Sequence, residues 1–227
     1  MLSFFNIEKD YMLGTQAVRA LGGVNGEIRL GEMVALCGPS GSGKSTLLNI
    51  LGMLDMNYRG SAFIDGIPFP RKVKEATALR RSSLGFVFQR FNLIPVMTAI
   101  ENVAYPLTLN NLSPRIKKEK AEQMLAKVGL EDFLQYRPDR LSGGQQQRVA
   151  IARALVHQPR LVIADEPTAS LDSHSANTII QIMKNLGHEM GTAFVIATHD
   201  PRMASQCDRN INLVDGLISS REIQWNV

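Results

Sequence analysis

The chain has 227 residues, 44% of them hydrophobic and 20% charged, with a formal net charge of +4. That balance supports one large packed unit or two small ones, with no low-complexity tract to argue for disorder, while the mildly basic charge suits an anionic ligand but is too weak and scattered to argue for nucleic acid. No apolar run approaches the roughly 18 residues of a membrane-crossing helix, and Cys37 and Cys207 are too far apart for metal-ligand spacing. Cys37 reads as a small buried hydrophobe. The opening MLSFFNIEKD has early acidic residues and no long apolar stretch, so a secretory signal is not expected.

Residues 1–32 are expected to form short strands broken at Gly14, Gly22, Gly23, Gly26 and Gly31. Met33–Cys37 is a buried-strand pattern, and it runs into Gly38-Pro39-Ser40-Gly41-Ser42-Gly43-Lys44-Ser45-Thr46, after which Leu47–Leu51 continues as a helix. The spacing from Gly38 to Gly43-Lys44-Ser45 fits a phosphate loop. Its glycines permit backbone angles that let successive N–H groups face phosphates. Lys44 can reach the β- and γ-phosphates, and the Ser45 hydroxyl suits Mg²⁺. The helix start adds partial positive charge. A Gly/Ser turn alone could match by chance, but strand and helix on the two sides favour nucleotide binding. Tyr11, upstream, could stack on a base, although most aromatics simply pack.

Ser61–Ile64, Asp65-Gly66 and Ile67–Phe69 read as a hairpin with a two-residue turn. Residues 71–81 suggest an exposed helix with a solvated basic face. Leu84–Phe88 is a second buried strand, ended by Gln89, which is either a plain terminator or a residue that orients water or Mg²⁺. Residues 90–157 read mostly as helix. Ser113-Pro114 starts one that carries Ala121, Met124, Leu125 and Val128 on one face and stops at Gly129. In Leu141-Ser142-Gly143-Gly144-Gln145-Gln146-Gln147-Arg148, Ser142 caps a helix from about Gly143 to Val156 whose bare first-turn amides form a second anion site. One phosphate chain needs only one such start, so the second could act on a nucleotide held by another copy.

Leu161–Glu166 is a third core strand ending in paired carboxylates, with Asp165 suited to hold Mg²⁺ and Glu166 to act as base for an attacking water. Asp172 caps the next helix, whose apolar stripe is Ala176, Ile179, Ile180, Met183 and Met190, helped by Ile182 and Leu186, up to Gly191. Ala193–Ala197 is a fourth strand that leads to His199, where a γ-phosphate would sit. Ile211–Val214, Asp215-Gly216 and Leu217-Ile218 form a closing hairpin. Strands alternating with helices imply a mostly parallel sheet with one ligand edge.

GPSGSGKST, Gln89, LSGGQQQR, LVIADE, Ser170-Leu171-Asp172 and His199, in this order and across essentially the whole chain, resemble an ABC transporter ATP-binding subunit. GFVFQRFNLIP at 85–95 and YRPDRLSGGQQQRVAIARAL at 136–155 resemble its lipoprotein-release and macrolide-efflux group. The resemblance implies an α/β fold: a RecA-like phosphate-loop core with a mostly parallel sheet, an N-terminal antiparallel β-subdomain and an inserted helical subdomain. The expected division within a single 1–227 domain is 1–89 with 158–227 as core and 90–157 as helical subdomain.

The same resemblance implies that Tyr11 stacks on adenine, that residues 38–46 hold the phosphates of ATP, and that Ser45 and Gln89 ligate Mg²⁺. Glu166 is then the base and His199 a γ-phosphate contact. Ser142 and Gly144, with Gly143 and Gln145 in the same motif, would bind ATP held by a second subunit of a homodimer, with Asp172 signalling across the interface. A membrane permease would dock near Gln89 and the helical block, at the cytoplasmic side of the bacterial inner membrane. The direction suggested is export or lipoprotein extraction. The alternative is a non-transport ABC ATPase acting on nucleic acid or ribosomes. This chain departs from the pattern at Asn25-Gly26, where an apolar strand residue is common, and at Ala169-Ser170. Neither touches a phosphate-contacting position.

Overall fold

The computed structural model describes residues 1–110 and 112–219. The chain begins with β1 (Leu2–Leu13) and β2 (Gln16–Ile28), an antiparallel pair that turns at Gly14 and Thr15. These are two long strands, not the short broken ones expected. The internal glycines and asparagines sit inside the ladder as irregularities of register. Asn6 takes φ 50, and its N–H donates to Asn25 Oδ1 at 2.9 Å. A Cβ on Gly26 would lie 2.5 Å from the Phe4 ring, so glycine is what lets that fully buried ring cross the partner strand. Asn25-Gly26 therefore replaces an apolar strand residue because a bulge and a ring already occupy the space.

β3 (Met33–Cys37) is buried at all five positions and ends in the 38–46 loop, from which α1 (Lys44–Leu51) departs. β4 (Arg59–Ile64) and β5 (Ile67–Pro68) form the expected hairpin, with Asp65 at φ 49 and Gly66 at φ 78. Positive φ at both turn residues matches the right-handed twist of the strands. α2 (Val73–Ser83) buries only Ala76, and β6 (Leu84–Phe88) follows. Between residues 90 and 157 lie α3 (Ala99–Ala104), α4 (Pro114–Lys127) and α5 (Gly143–Leu155), joined by short 3-10 helices. Ser113 caps α4 by accepting from the Ile116 N–H, with Pro114 in the first turn. β7 (Leu161–Asp165), α6 (Ser173–Met190), β8 (Ala193–Ala197), α7 (Pro201–Gln206), β9 (Arg209–Val214) and β10 (Leu217–Ser219) complete the order. In α6 the stripe is buried at Ala176, Ile179, Ile180, Met183 and Leu186, with Met190 half-buried at the helix end. Gly191 takes φ 64, as a helix stop requires.

Two sheets result: an antiparallel one in the order β2-β1-β4-β5, and a second in the order β10-β9-β3-β8-β7-β6. The second is parallel from β9 to β6, with β10 antiparallel at the edge. Alternation sends side chains to its two faces. Leu161, Ile163 and Val195 join Val34, Leu36 and the α1 leucines between the sheets, while Val162, Ala164, Phe194 and Ile196 face the helices α3–α6. Each fully buried aliphatic or aromatic side chain adds roughly 1.5–3 kcal/mol of transfer free energy. The sheet is thus rigid where its carboxyl ends meet the 38–46 loop.

Candidate functional site

The 38–46 loop is held in a conformation its glycines make possible. Gly38, Gly41 and Gly43 take φ 151, 80 and 101. Gly43 is the N-cap of α1 and offers no side chain to the first-turn amides, so these remain available to an anion. Lys44 Nζ donates to the carbonyls of Gly38 at 2.7 Å and Pro39 at 2.8 Å. The ammonium thus lies inside the cradle, bonded to groups that phosphate oxygens would replace. Ser42 is 2% exposed, and its Oγ has no hydrogen-bond partner among the described residues. An orphaned buried hydroxyl within this glycine-rich loop fits a place for a phosphate oxygen. Pro39, Ser40 and Ser45 are exposed, and Thr46 is half-buried on the first turn.

The strand register aligns the rest. Leu36, Ala197, Asp165 and Phe88 pair across β3, β8, β7 and β6. One residue further along each strand lie Cys37, Thr198, Glu166 and Gln89. Gln89 is exposed at its strand end. Burial is the largest influence on Asp165 and pushes its carboxyl above the ordinary value; Glu166 adds to this and the Lys44 charge opposes it. Lys44 and the acidic strand end are therefore close enough to interact. Glu166 has φ 47, outside helix and strand ranges. Its N–H donates to the Ala197 carbonyl at 3.0 Å, and its Oε1 lies 2.6 Å from His199 Nδ1. The structure therefore brings Lys44, Asp165, Glu166 and His199 together. Burial raises the Cys37 thiol to about 11, which keeps it protonated and unreactive.

Tyr11 is reached through β2. It pairs with Val18, two residues before Ala20, whose carbonyl would lie 2.5 Å from a Cβ on Gly43. The ring is 41% exposed, its hydroxyl bonds Asp55 at 3.4 Å, and the Lys9 ammonium stands 4.8 Å from its centroid.

The second helix start lies elsewhere. Ser142 Oγ accepts from the Gln145 N–H at 3.3 Å, and Gln145 Oε1 accepts from the Ser142 N–H at 2.8 Å, a reciprocal cap. The atoms within 4 Å of a Cβ built on Gly143 or Gly144 belong to Leu171, Phe91 and Ser175, none of them in the 38–46 loop. Asp172 Oδ1 accepts from the His174 and Ser175 N–H groups at 3.0 Å, capping α6.

Three further residues shape these segments. Asn102 is fully buried and holds the chain after Gln89, bonding Ile94 through both its N–H and C=O and also reaching the Met97 and Thr98 carbonyls. Its helix carries a capping box, Thr98 with Glu101, which the sequence displays as T-x-x-E. Gln147 is fully buried and donates to the Pro167 carbonyl at 2.5 Å. Its periodicity was the signal: Gln147, Ala150, Ile151 and Ala154 stand at i, i+3, i+4 and i+7 on the inner face of α5. Arg202 joins Asp200 to Ser173 at 2.7 Å, and neither its type nor its spacing announces that bridge. Beside Gln89, a groove of about 510 Å³ is lined by Arg80, Arg81, Phe86, Phe88, Tyr105 and Arg153. Arg153 closes its floor by donating to the Phe91 and Asn92 carbonyls at 2.9 and 2.6 Å.

The ABC transporter family profile matches residues 21–169. The lipoprotein-releasing system ATP-binding protein LolD of Idiomarina loihiensis is 45% identical over 217 residues, 95% of each chain. The macrolide export ATP-binding/permease protein MacB of Photorhabdus laumondii is 44% identical over 97% of this chain but only 34% of its own length. Among solved structures, the ATP-binding cassette MJ0796 of Methanocaldococcus jannaschii, in a dimeric post-hydrolysis state with ADP and Pi, is 44% identical with a TM-score of 0.87 over the full length of both chains.

Proposed function

The chain belongs to the ABC transporter family, and from that premise we propose that it binds and hydrolyses MgATP as one half of a dimer and so drives a separate membrane permease. The observation that carries this reading is the Lys44 ammonium lodged among the carbonyls of its own loop, next to an orphaned Ser42 hydroxyl and opposite Asp165 and Glu166. ATP phosphates would take over the Lys44 contacts and the bare α1 amides, with residues 38–46 around them and Tyr11 against the adenine. Glu166 accepts the proton of the attacking water, and His199, already on the same carboxylate, contacts the γ-phosphate. Ser45, Gln89 and Asp165 offer hard oxygen ligands that suit Mg²⁺, which would neutralise phosphate charge when bound.

Ser142, Gly143, Gly144 and Gln145 then serve the nucleotide of the other subunit, and Asp172 lies at the interface between subunits. The reading divides the domain into a nucleotide-binding core, 1–89 with 158–227, and a helical subdomain, 90–157. The permease docks at the groove beside Gln89, where Phe86, Phe88 and Tyr105 with the exposed Arg81 suit an apolar helix carrying an acidic residue. Among the described residues no helix is long and apolar enough to cross a membrane, which is consistent with peripheral attachment through that partner at the cytoplasmic face of the inner membrane. Similarity to LolD and MacB supports export or lipoprotein extraction. Among the described residues no feature of the surface favours the nucleic-acid alternative.

The test is light scattering on Glu166→Gln with and without ATP. A monomer that becomes a dimer on ATP addition supports the sandwich. A variant that binds ATP and stays monomeric refutes it for this chain acting alone.

A further inference from the structure

Gln147 is fully buried on α5, and its Nε2 donates to the Pro167 carbonyl while its Oε1 has no hydrogen-bond partner among the described residues. The amide satisfies the buried Pro167 carbonyl while leaving its own oxygen unpaired, so its contribution is a specific tie to that carbonyl and not packing alone. What the amide does is join two segments. Pro167 directly follows Glu166, itself held at φ 47. Gln147 lies less than a turn along α5 from Gly144 and little more than a turn from Ser142.

The start of α5 is stiff. Its reciprocal cap fixes the first turn, and Gly143 and Gly144 pack on Leu171 and Ser175 of the segment that follows Pro167. A displacement of the helix start is carried to Gln147 as a rigid body, because close-packed interiors transmit shifts instead of absorbing them. We propose that Gln147 is a positioning residue that couples the two nucleotide sites of the dimer, by tying the helix start that engages the partner's ATP to the loop that holds this subunit's own Glu166. The inference rests on the sandwich reading above. In that arrangement each base is set for attack only when its own subunit has also closed on the opposite nucleotide.

The experiment compares wild type with Gln147→Met, which keeps length and packing but removes the donor. Phosphate release is followed against ATP concentration, and ATP-driven dimerisation is followed in the Glu166→Gln background. Wild type is expected to hydrolyse ATP cooperatively, with a Hill coefficient between about one and two. Gln147→Met is expected to lose about tenfold or more in turnover, to bring the Hill coefficient down to about one and to keep KM within about twofold, while the Gln147→Met/Glu166→Gln protein still dimerises with ATP. Unchanged turnover and cooperativity overturns the proposal. So does a loss of turnover that merely follows a loss of ATP-driven dimer, because Gln147 would then only support the helix start. Should Gln147→Met fail to melt cooperatively, Gln147→Leu, which is also apolar and has no donor, is read the same way; failure of both to fold makes the residue a core requirement and overturns the proposal. Failure of the sandwich itself is seen separately, as absence of an ATP-driven dimer in Glu166→Gln with Gln147 intact.

Discussion

Replacing Glu166 by glutamine removes one function and leaves the geometry in place. Gln has the same length and the same backbone preference, so φ 47 and the N–H bond to the Ala197 carbonyl persist. The amide can also keep the 2.6 Å contact with His199 Nδ1. What it cannot do is accept a proton from water. A positioned base contributes roughly 10²–10⁴-fold, about 2.7–5.5 kcal/mol of barrier at 1.36 kcal/mol per decade. Nucleotide affinity should hold or rise, because one carboxylate charge facing the phosphates is gone. The loss therefore falls on kcat and not on binding. The assay is phosphate release at saturating ATP together with equilibrium binding of a fluorescent ATP analogue. Turnover within about threefold of wild type would show that the proton goes elsewhere. Equal losses of binding and turnover would show that Glu166 shapes the pocket instead of acting as base.

Gly38→Ala places a Cβ 2.1 Å from the Leu213 carbonyl and 2.7 Å from Ser42 Oγ at φ 151, so β9 must move; a cost of about 2–4 kcal/mol, or roughly 5–12 °C in Tm, is expected in a thermal melt, and an unchanged Tm would refute the close approach. For Asp208, burial alone would raise the carboxyl, but the hydrogen bond from His188, the Met33 N–H and the charges of His188 and Lys184 outweigh it and hold the group below its ordinary 3.8. A depressed folded value means stabilisation is present above the unfolded value and is lost as pH falls through the folded one. Wild type should therefore melt above Asp208→Asn near neutral pH, with the gap closing below pH 3.8; a gap independent of pH would contradict the ion-pair account.

Much of this was legible because the pattern is local. Short apolar runs leading into Gly38, Gln89, the Asp165-Glu166 pair and Thr198 read as buried strands, and parallel order places those ends on one edge. Asp65-Gly66 and Asp215-Gly216 name their own turns, and Ser113, Ser142 and Asp172 name their own helix starts. In the first 32 residues the glycines resemble punctuation, yet Gly22, Gly23 and Gly26 lie inside a long strand. Gly26 is there to admit a ring from the neighbouring strand, and such pairwise packing is invisible along one strand. Gln147, Asn102 and Arg202 are not legible along the chain for a related reason. Their partners, Pro167, Ile94 and Ser173, lie in other segments, and only the assembled fold shows which carbonyl or hydroxyl each satisfies.

The row of strand ends also acts as a ruler, and a ruler tolerates no lost graduation. A strand advances about 3.3 Å per residue and reverses its facing at each step. One residue inserted anywhere in β7 would push Asp165 and Glu166 a full step past Lys44 and turn each to the opposite face. The same holds for β3, β6 and β8. Between α4 and α5, by contrast, Glu131 and Asp132 are exposed in a single-turn connection, where added length changes no register. Variation in length among working versions of this chain should therefore collect at such connections and be absent from the four strands that carry the site.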